Sequence, residues 1–472
     1  MEKNVFEYIK TEENNFKIVR IPITGSKDWN MHEHIERCTN VANAWFHTGK
    51  NDGLRPYDDI VTPIINVGFR SEGFDVKDII ANVRQAGDLA LIEYCEKFDG
   101  YHPDTLEVTP KEMAEALRSL TKEELKSLNV TASRIKTFHQ KQFSKCTKTW
   151  KEKKNGITWG EMVSPIERVG IYVPGGLAAY PSTVFMNAIP ARVAGVKEII
   201  MTTPWPQGKA NRYTLAAAKL AGVDRVFKVG GAQAIAALTY GTESIPNVDK
   251  ITGPGNIYVA TAKRLVFGKV GIDMVAGPTE VVIVADDTAN PAFIASDLLS
   301  QAEHDPKAVA IMISHVSSLI QRTKQALQEQ LAALDRQNIL AAVVQNGCYF
   351  IQTKNIAESI RLASQLAAEH LELQIKGPEK YLKGLNAGAI FMGHHTPVAV
   401  GDYLAGPNHT LPTSSTARFS SPLGVLDFVK RTSLISFDQK SLKKLGPDIV
   451  RLASMEGLTA HGASVINRIN IK

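Results

Sequence analysis

The 472-residue sequence predicts an α/β fold built from two parallel-sheet units with helices between the strands. From Arg168 onward, short apolar runs alternate with helix-like stretches: RVGIYVPGG, VKEIIMTTP, DRVFKVGG, VDKITGPGN and TEVVIVADD. A further series, AVAIMIS (308–314), CYFIQTK (348–354) and AGAIFMG (387–393), repeats the pattern. Alternation of this kind argues for parallel strands joined by crossover helices. Glycine turns close several of the runs, as tight strand-to-helix connections require. The units are read as 168–279 and 280–423, the latter taken together with the stretch 68–167.

Residues 1–67 carry no clear periodicity and are read as an N-terminal arm. The opening MEKNVFEYIKTEENNF is charged throughout and lacks an apolar core of signal-peptide length. No apolar run approaches the roughly 18 residues of a membrane span, so a cytoplasmic, non-membrane protein is expected. In DVKDIIANVRQAGDLALIEYCEKF apolar residues recur at helical spacing, making 70–167 largely helical. The basic segment KTFHQKQFSKCTKTWKEKKNG (136–156) interleaves lysines with Phe138, Phe143 and Trp150. It is read as a solvated helix face leading into a strand rather than as a nucleic-acid surface. A net charge of +6 over this length commits the chain to no nucleic-acid partner. Residues 424–472 read as a short, mostly helical tail.

YVPGG (172–176), VGGAQ (229–233) and TGPGN (252–256) each end a strand and precede a helix. If the turns gather at the carboxyl edge of one sheet, they offer helix N-terminal amides to a phosphate or dinucleotide, although none has the GxGxxG spacing. The alternative is that they are simply tight connections.

LLSQAEHDP (298–306) ends an apolar helix that should start at the Asn290–Pro291 cap and stop before Pro306. Gln301 and His304, three apart, then share a face. A histidine in that place either complements the helix dipole or binds a metal. Other polar groups stand in AAEHLEL (Glu369, His370), VGDYLAG (Asp402), GPNHTLPT (His409) and EGLTAHG (Glu456, His461). Each has a bland reading as a cap, turn or surface residue. Together they offer imidazoles, carboxylates and an amide oxygen, a donor set that suits zinc in an open catalytic position or a neighbouring divalent metal, and an adjoining His/Glu pair that suits proton transfer. Cys38, Cys95, Cys146 and Cys348 lack CxxC spacing and read as reduced thiols. His32, His34, His139, His394 and His395 are weaker metal candidates.

The ordered blocks RVGIYVPGG, VGGAQAIAAL, GPGNIYVATAKR, GIDMVAGPTEVVIVAD, ASDLLSQAEHDP, AAEHLEL, GDYLAGPNHTLPT and LTAHG resemble histidinol dehydrogenase over roughly 60–472. The resemblance implies two incomplete Rossmann-like units with small helical N- and C-terminal extra domains, in a homodimer with shared active sites and 424–472 as the dimerisation tail. It implies NAD as cofactor, one zinc per subunit, and oxidation of L-histidinol through L-histidinaldehyde to L-histidine. Carried onto this chain, it makes Gln301, His304, Asp402 and His461 zinc ligands, with His461 supplied by the partner subunit. Glu369 and His370 become the acid/base pair, and Tyr172, Gln233 and Asn256 the NAD contacts. Thr279, His370, His409 and Glu456 join the four ligands around the substrate. Thr279 stands where the family often has Ser, which adds a methyl group to the pocket, and the N-terminal arm is longer than the family needs. Rival readings are a related dehydrogenase of another small alcohol, such as a sulfonated diol, and a non-catalytic nucleotide-binding relative. The Glu456 carboxylate suits an ammonium and repels a sulfonate, and the full set of ligands with the Glu369/His370 pair argues for catalysis.

Overall fold

The computed structural model describes the backbone of Glu7–Lys10, Lys17–Arg20, Arg70–Ser71 and Phe74, and residues 75–175 and 180–470 apart from the side chain of Gln337. The remainder of the arm, with His32, His34 and Cys38, lies outside the described residues. Strands β1 (Glu7–Lys10) and β2 (Lys17–Arg20) pair antiparallel. Helices α1 (Val76–Ala86), α2 (Asp88–Tyr94), α3 (Pro110–Arg118) and α4 (Lys122–Cys146) follow, with the short strand β3 (Glu107–Val108) before α3. Capping boxes start α3 at Thr109/Glu112 and α4 at Thr121/Glu124, satisfying amides that a helix start leaves unpaired. A hairpin of β4 (Trp150–Lys154) and β5 (Ile157–Pro165) comes next, and β4 is exposed along its whole length.

The first large sheet begins at β6 (Arg168–Tyr172). It continues through α5 (Pro181–Ala194), β7 (Glu198–Thr202), α6 (Arg212–Ala221), β8 (Arg225–Phe227), α7 (Gly231–Tyr240), β9 (Lys250–Thr252), α8 (Ile257–Val266) and β10 (Gly271–Ile272). Its order is β10-β9-β6-β7-β8-β3, parallel except for β3. The second large sheet is built from β11 (Glu280–Ala285), α9 (Pro291–Ala302), β12 (Val309–Ser314), α10 (Ser317–Leu331), α11 (Gln337–Asn346), β13 (Cys348–Gln352), α12 (Ile356–Leu366), β14 (His370–Gln374) and β15 (Ala389–Met392). Its order is β1-β2-β13-β12-β11-β14-β15, so the two N-terminal strands extend its edge, β2 running parallel to β13. Every residue of β11, β12 and β14 is buried, as expected when helices cover both faces of a parallel sheet.

The helices of 76–146 pack chiefly on the first sheet, against α5, α6, α7 and α8, rather than on the 280–423 unit to which the sequence reading assigned 68–167, although Arg134 of α4 donates to the Leu404 carbonyl. Val76, Ile79, Ile80 and Val83 of α1 share one apolar core with Ile235 and Leu238 of α7. Met113 and Ile135 enter the core on the opposite face, with Val169 and Ile199. Helical periodicity reveals that a face is apolar without saying which sheet will receive it.

After α13 (Val398–Tyr403), the chain forms β16 (Val429–Phe437), α14 (Gln439–Met455) and α15 (Thr459–Ile469). The tail is therefore less helical than expected: β16 pairs along its full length with β5, from Val429 opposite Pro165 to Phe437 opposite Ile157. The run VKRTSLISF alternates only weakly, and its partner lies far away in sequence, so nothing local marks it as a strand. Helices α14 and α15 pack on each other, leaving Leu452, Met455, Leu458 and Ile466 exposed. No helix among the described residues is long and apolar enough to cross a membrane.

Candidate active site

Both sheets reverse their winding direction between two neighbouring strands, the place where α/β folds open a crevice. In the first sheet this falls between β6 and β9, and in the second between β11 and β14. In the first sheet the glycine turns lie at the carboxyl ends of the strands, the edge that such a reversal opens, whereas in the second the polar candidate residues lie at the amino ends, the opposite edge.

At the carboxyl edge, the turns after β6, β8 and β9 come from one sheet, which is the convergence on which the dinucleotide reading depends. Gly253 has φ +115°, and a Cβ there would meet the Tyr172 carbonyl oxygen at 2.1 Å, so the chain passes only as glycine. The turn is held from below by the buried ion pair Lys263–Asp273. Lys263 Nζ donates to the Gly253 carbonyl at 2.9 Å, and Gly253 N donates to Asp273 Oδ2 at 2.8 Å. Tyr172, the last residue of β6, is buried, and its hydroxyl accepts from Gly231 N at 3.1 Å. Burial pushes that phenol up to about 12. Gln233 is buried in the first turn of α7, whereas Asn256 is exposed and caps α8 through Tyr258 N and Val259 N. The N-termini of α7 and α8 thus both lie at this edge, where their amides and dipoles favour an anion.

At the amino edge of the second sheet, Thr279 immediately precedes β11 and Glu369 immediately precedes β14. Gln301, on α9, donates through Nε2 to Thr279 Oγ1, and that hydroxyl donates to Glu369 Oε2 at 2.6 Å. The same carboxylate oxygen accepts from Glu280 N at 2.9 Å. His370 Nδ1 lies 3.5 Å from Glu369 Oε2 and 2.9 Å from the Glu280 carbonyl oxygen. Bonding to a carbonyl places the imidazole proton on Nδ1 and leaves Nε2 as the basic nitrogen. Burial raises the Glu369 carboxyl, opposed by the nearby His370 and the donors Thr279 and Glu280 N. The carboxyl therefore takes up a proton more readily than an exposed glutamate.

Helix α9 starts as the sequence predicted, with Asn290 accepting from Ala292 N and Pro291 in the first turn, but it ends at Ala302. Gln301 is therefore buried in the last turn, while His304 lies exposed just beyond the helix. Asp402 lies on α13, and His409 on the loop that follows. The loop is pinned to the first unit by Asn408 Nδ2, which donates to the Met186 carbonyl at 2.6 Å. Enclosure pushes the His409 imidazole down and the Asp402 charge pulls it up, while His370 and His304 also act on it. His409 thus lies within electrostatic reach of Asp402, His370 and His304, side chains that come from three separate stretches of the chain. Glu456 and His461 are not brought there within one chain: both are exposed on the α14–α15 arm. Among the described residues no group of three His, Cys, Asp or Glu side chains is arranged to hold a metal.

Glu280 escaped the sequence reading. It is fully buried, and its carboxylate accepts from Ser414 N at 2.9 Å and from Glu369 N at 3.4 Å, joining both loops of the crevice. Its signal was a charged residue opening the apolar run EVVIVA, since a buried charge must be paired.

A two-unit α/β fold with glycine turns at one sheet's carboxyl edge and a hydroxyl–carboxylate–imidazole group at the other's amino edge defines an oxidoreductase architecture. A model of the histidinol dehydrogenase family matches residues 70–469, and the chain belongs to that family. It is 53% identical over 398 residues to histidinol dehydrogenase of Syntrophotalea carbinolica, covering 84% of this chain and 92% of the relative. To the enzyme of Geobacter sulfurreducens it is 52% identical over 399 residues, with the same coverage of 84% and 92%. The crystal structure of histidinol dehydrogenase from Elizabethkingia anophelis superposes with a TM-score of 0.80 at 35% identity, covering 90% of this chain and 96% of the other.

Proposed function

We propose that this chain oxidises L-histidinol through L-histidinaldehyde to L-histidine, with two NAD consumed per substrate and with zinc bound at Gln301, His304, Asp402 and His461 of the partner subunit. The observation that carries the reading is the linked group Gln301–Thr279–Glu369 beside His370. The donor set fits zinc. Gln301 Oε1 is a buried acceptor with no hydrogen-bond partner, while its Nε2 is committed to Thr279. An orphaned buried amide oxygen is costly unless something binds it. The remaining donors are imidazole and carboxylate, which zinc accepts alongside oxygen. Bound zinc supplies Lewis-acid polarisation of the substrate's alcohol oxygen, and NAD supplies the hydride acceptor.

The chain's own residues move the protons. His370 Nε2 takes the alcohol proton as hydride leaves the carbon. Glu369 then draws a proton from water as that water attacks the aldehyde carbon, and the hydrate gives up the second hydride. Thr279 holds Glu369 and Gln301 in one register through a single hydroxyl. Glu456 holds the substrate's ammonium, and His409 closes the pocket as a neutral imidazole. Because Glu456 and His461 share the C-terminal arm, the proposed homodimer completes each site with its partner's arm. The exposed apolar residues of α14 and α15 support that role for 424–472. At the nucleotide edge, the amides at the starts of α7 and α8 receive the pyrophosphate, Asn256 faces the cofactor, and Tyr172 and Gln233 set the turns beneath it. The cytoplasm is the proposed compartment, in keeping with the free thiols of Cys95, Cys146 and Cys348.

The test is NADH formation with limiting L-histidinol and excess NAD, with and without a chelator. Two NADH per histidinol, lost on chelation and restored by zinc, is the expected result. One NADH would overturn the assignment of Glu369 to the aldehyde step, and none would overturn the substrate.

A further inference from the structure

Three polar side chains lie inside the apolar layer of the second sheet where the proposed chemistry makes no use of them. Asp297 stands on α9 one turn before Gln301. Glu372 and Gln374 follow His370 on β14 at two-residue steps and share its face. Glu372 is fully buried, and Asp297 and Gln374 are nearly so. Gln374 Nε2 donates to Asp297 Oδ2 at 2.8 Å and to Glu372 Oε2 at 2.8 Å. The two carboxyls therefore meet at one amide nitrogen, close enough for each to act on the other's affinity for a proton. Two buried carboxyls gathered on one amide would repel each other if both were ionised, and burial and that repulsion together favour a proton on one of them. Glu372 Oε1 meanwhile accepts from Val398 N at 3.1 Å. That is the first amide of α13, a helix whose preceding Pro397 offers no side-chain cap.

The couple therefore fastens together α9, which carries Gln301, β14, which carries His370, and α13, which carries Asp402. We propose that Asp297 and Glu372, joined by one shared proton, are positioning residues that fix Gln301, His370 and Asp402 relative to one another, so that the active site keeps its shape only while the proton is in place. The inference rests on the reading of those three as working residues.

The direction of the pH effect follows from the burial. Desolvation holds Glu372 well above the usual carboxylate range, with the charge of Asp297 adding to it, and desolvation raises Asp297 also. Other titratable groups on the packed elements are Glu280 on β11, Glu369 and His370 at the head of β14, and Asp402 on α13. The interactions that set the couple's protonation are its own two carboxyls, the Gln374 amide and Val398 N–H. The folded chain thus binds the proton more tightly than an unfolded one. The couple's stabilising contribution is complete below the ordinary carboxylate range and is lost as pH rises through the raised folded-state value.

The test uses the full chain and its Glu372→Gln and Glu372→Ala variants, read by turnover across pH and by hydrogen–deuterium exchange. Glu372→Gln keeps a donor toward Asp297 and an acceptor for Val398 N–H without a proton to lose. Its kcat/KM at pH 7.5 is expected within about threefold of the parent, and its alkaline limb is expected to move to higher pH or vanish. Glu372→Ala should lose about 30-fold or more in kcat/KM, in line with the cost of a misplaced catalytic group. It should also exchange at least about tenfold faster in 291–304 and 398–404, with the first sheet unchanged. If Glu372→Gln loses as much as Glu372→Ala, a negative charge and not a proton is required, and the proposal fails. It fails equally if Glu372→Ala leaves exchange in those segments unaltered. Should that variant not fold, coincident pH profiles for the parent and Glu372→Gln would overturn it instead. The exchange measurement needs no turnover, so it stands even if L-histidinol is not the substrate.

Discussion

The carboxyl edge of the first sheet and the amino edge of the second solve different problems with different parts of the chain. At the first edge backbone does the work. Glycine lets β9 and β6 approach, a buried Lys263–Asp273 pair grips the Gly253 carbonyl and amide, and helix starts present N–H groups. At the second edge side chains do the work, and they are linked to one another: Gln301 to Thr279, Thr279 to Glu369, and Glu369 to the amide of Glu280. Backbone recognition suits a large, invariant cofactor whose phosphates need amides. Proton transfer needs groups whose affinity for a proton can be tuned, and only side chains offer that.

The comparison makes unequal predictions for the two edges. The largest effect belongs to the amino edge: Glu369→Gln should slow the aldehyde-to-acid step by about 10²–10⁴-fold while leaving the first hydride transfer nearly intact, and His370→Ala should do the reverse. Single-turnover kinetics from histidinol and from the aldehyde separate the two, and equal losses in both steps would merge the roles. Since burial raises Glu369, the acid limb of the aldehyde step should lie above the usual carboxylate range, activity falling as pH drops and the base is protonated.

Next comes the carboxyl edge. Lys263→Met strands the buried Asp273 carboxylate and should cost about 3–5 kcal/mol of folding stability, seen in urea unfolding. KM for NAD should rise while kcat at saturating NAD is largely kept. A selective fall in kcat would show that the edges are not separable.

Thr279→Val is expected to lower kcat/KM about tenfold, because it removes one hydroxyl that serves both Gln301 and Glu369, while Thr279→Ser restores it. The smallest change is Asn256→Ala, which removes the cap of α8 at about 1 kcal/mol and should raise KM for NAD a few-fold. An effect on chelator sensitivity would contradict the division.

Much of this was legible because it is local. The apolar runs at 168–172, 198–202, 280–285 and 309–314 are strands, and Asn290–Pro291 begins a helix as its cap chemistry demands. Glu280, Asp297 and Glu372 escape a reading of the sequence because a single acidic residue in an apolar run announces burial without naming its partners, and most of those lie on other elements. The helices of 76–146 were assigned to the wrong sheet for the same reason, as was β16 to a helical tail.

The sequence by itself determined most of the strands, the helix caps and the glycine turns, since these depend on dihedral preference and hydrophobic period within a few residues. Tertiary structure alone decided that Thr279, Gln301 and Glu369 share one hydroxyl, that this group sits at an amino edge, and that Gln374 brings Glu372 together with Asp297 while Glu372 also reaches Val398. Those contacts join segments tens of residues apart, and what fixes them is how the covered sheets close on their helices to bury apolar faces, a property of the whole chain that no window of sequence contains.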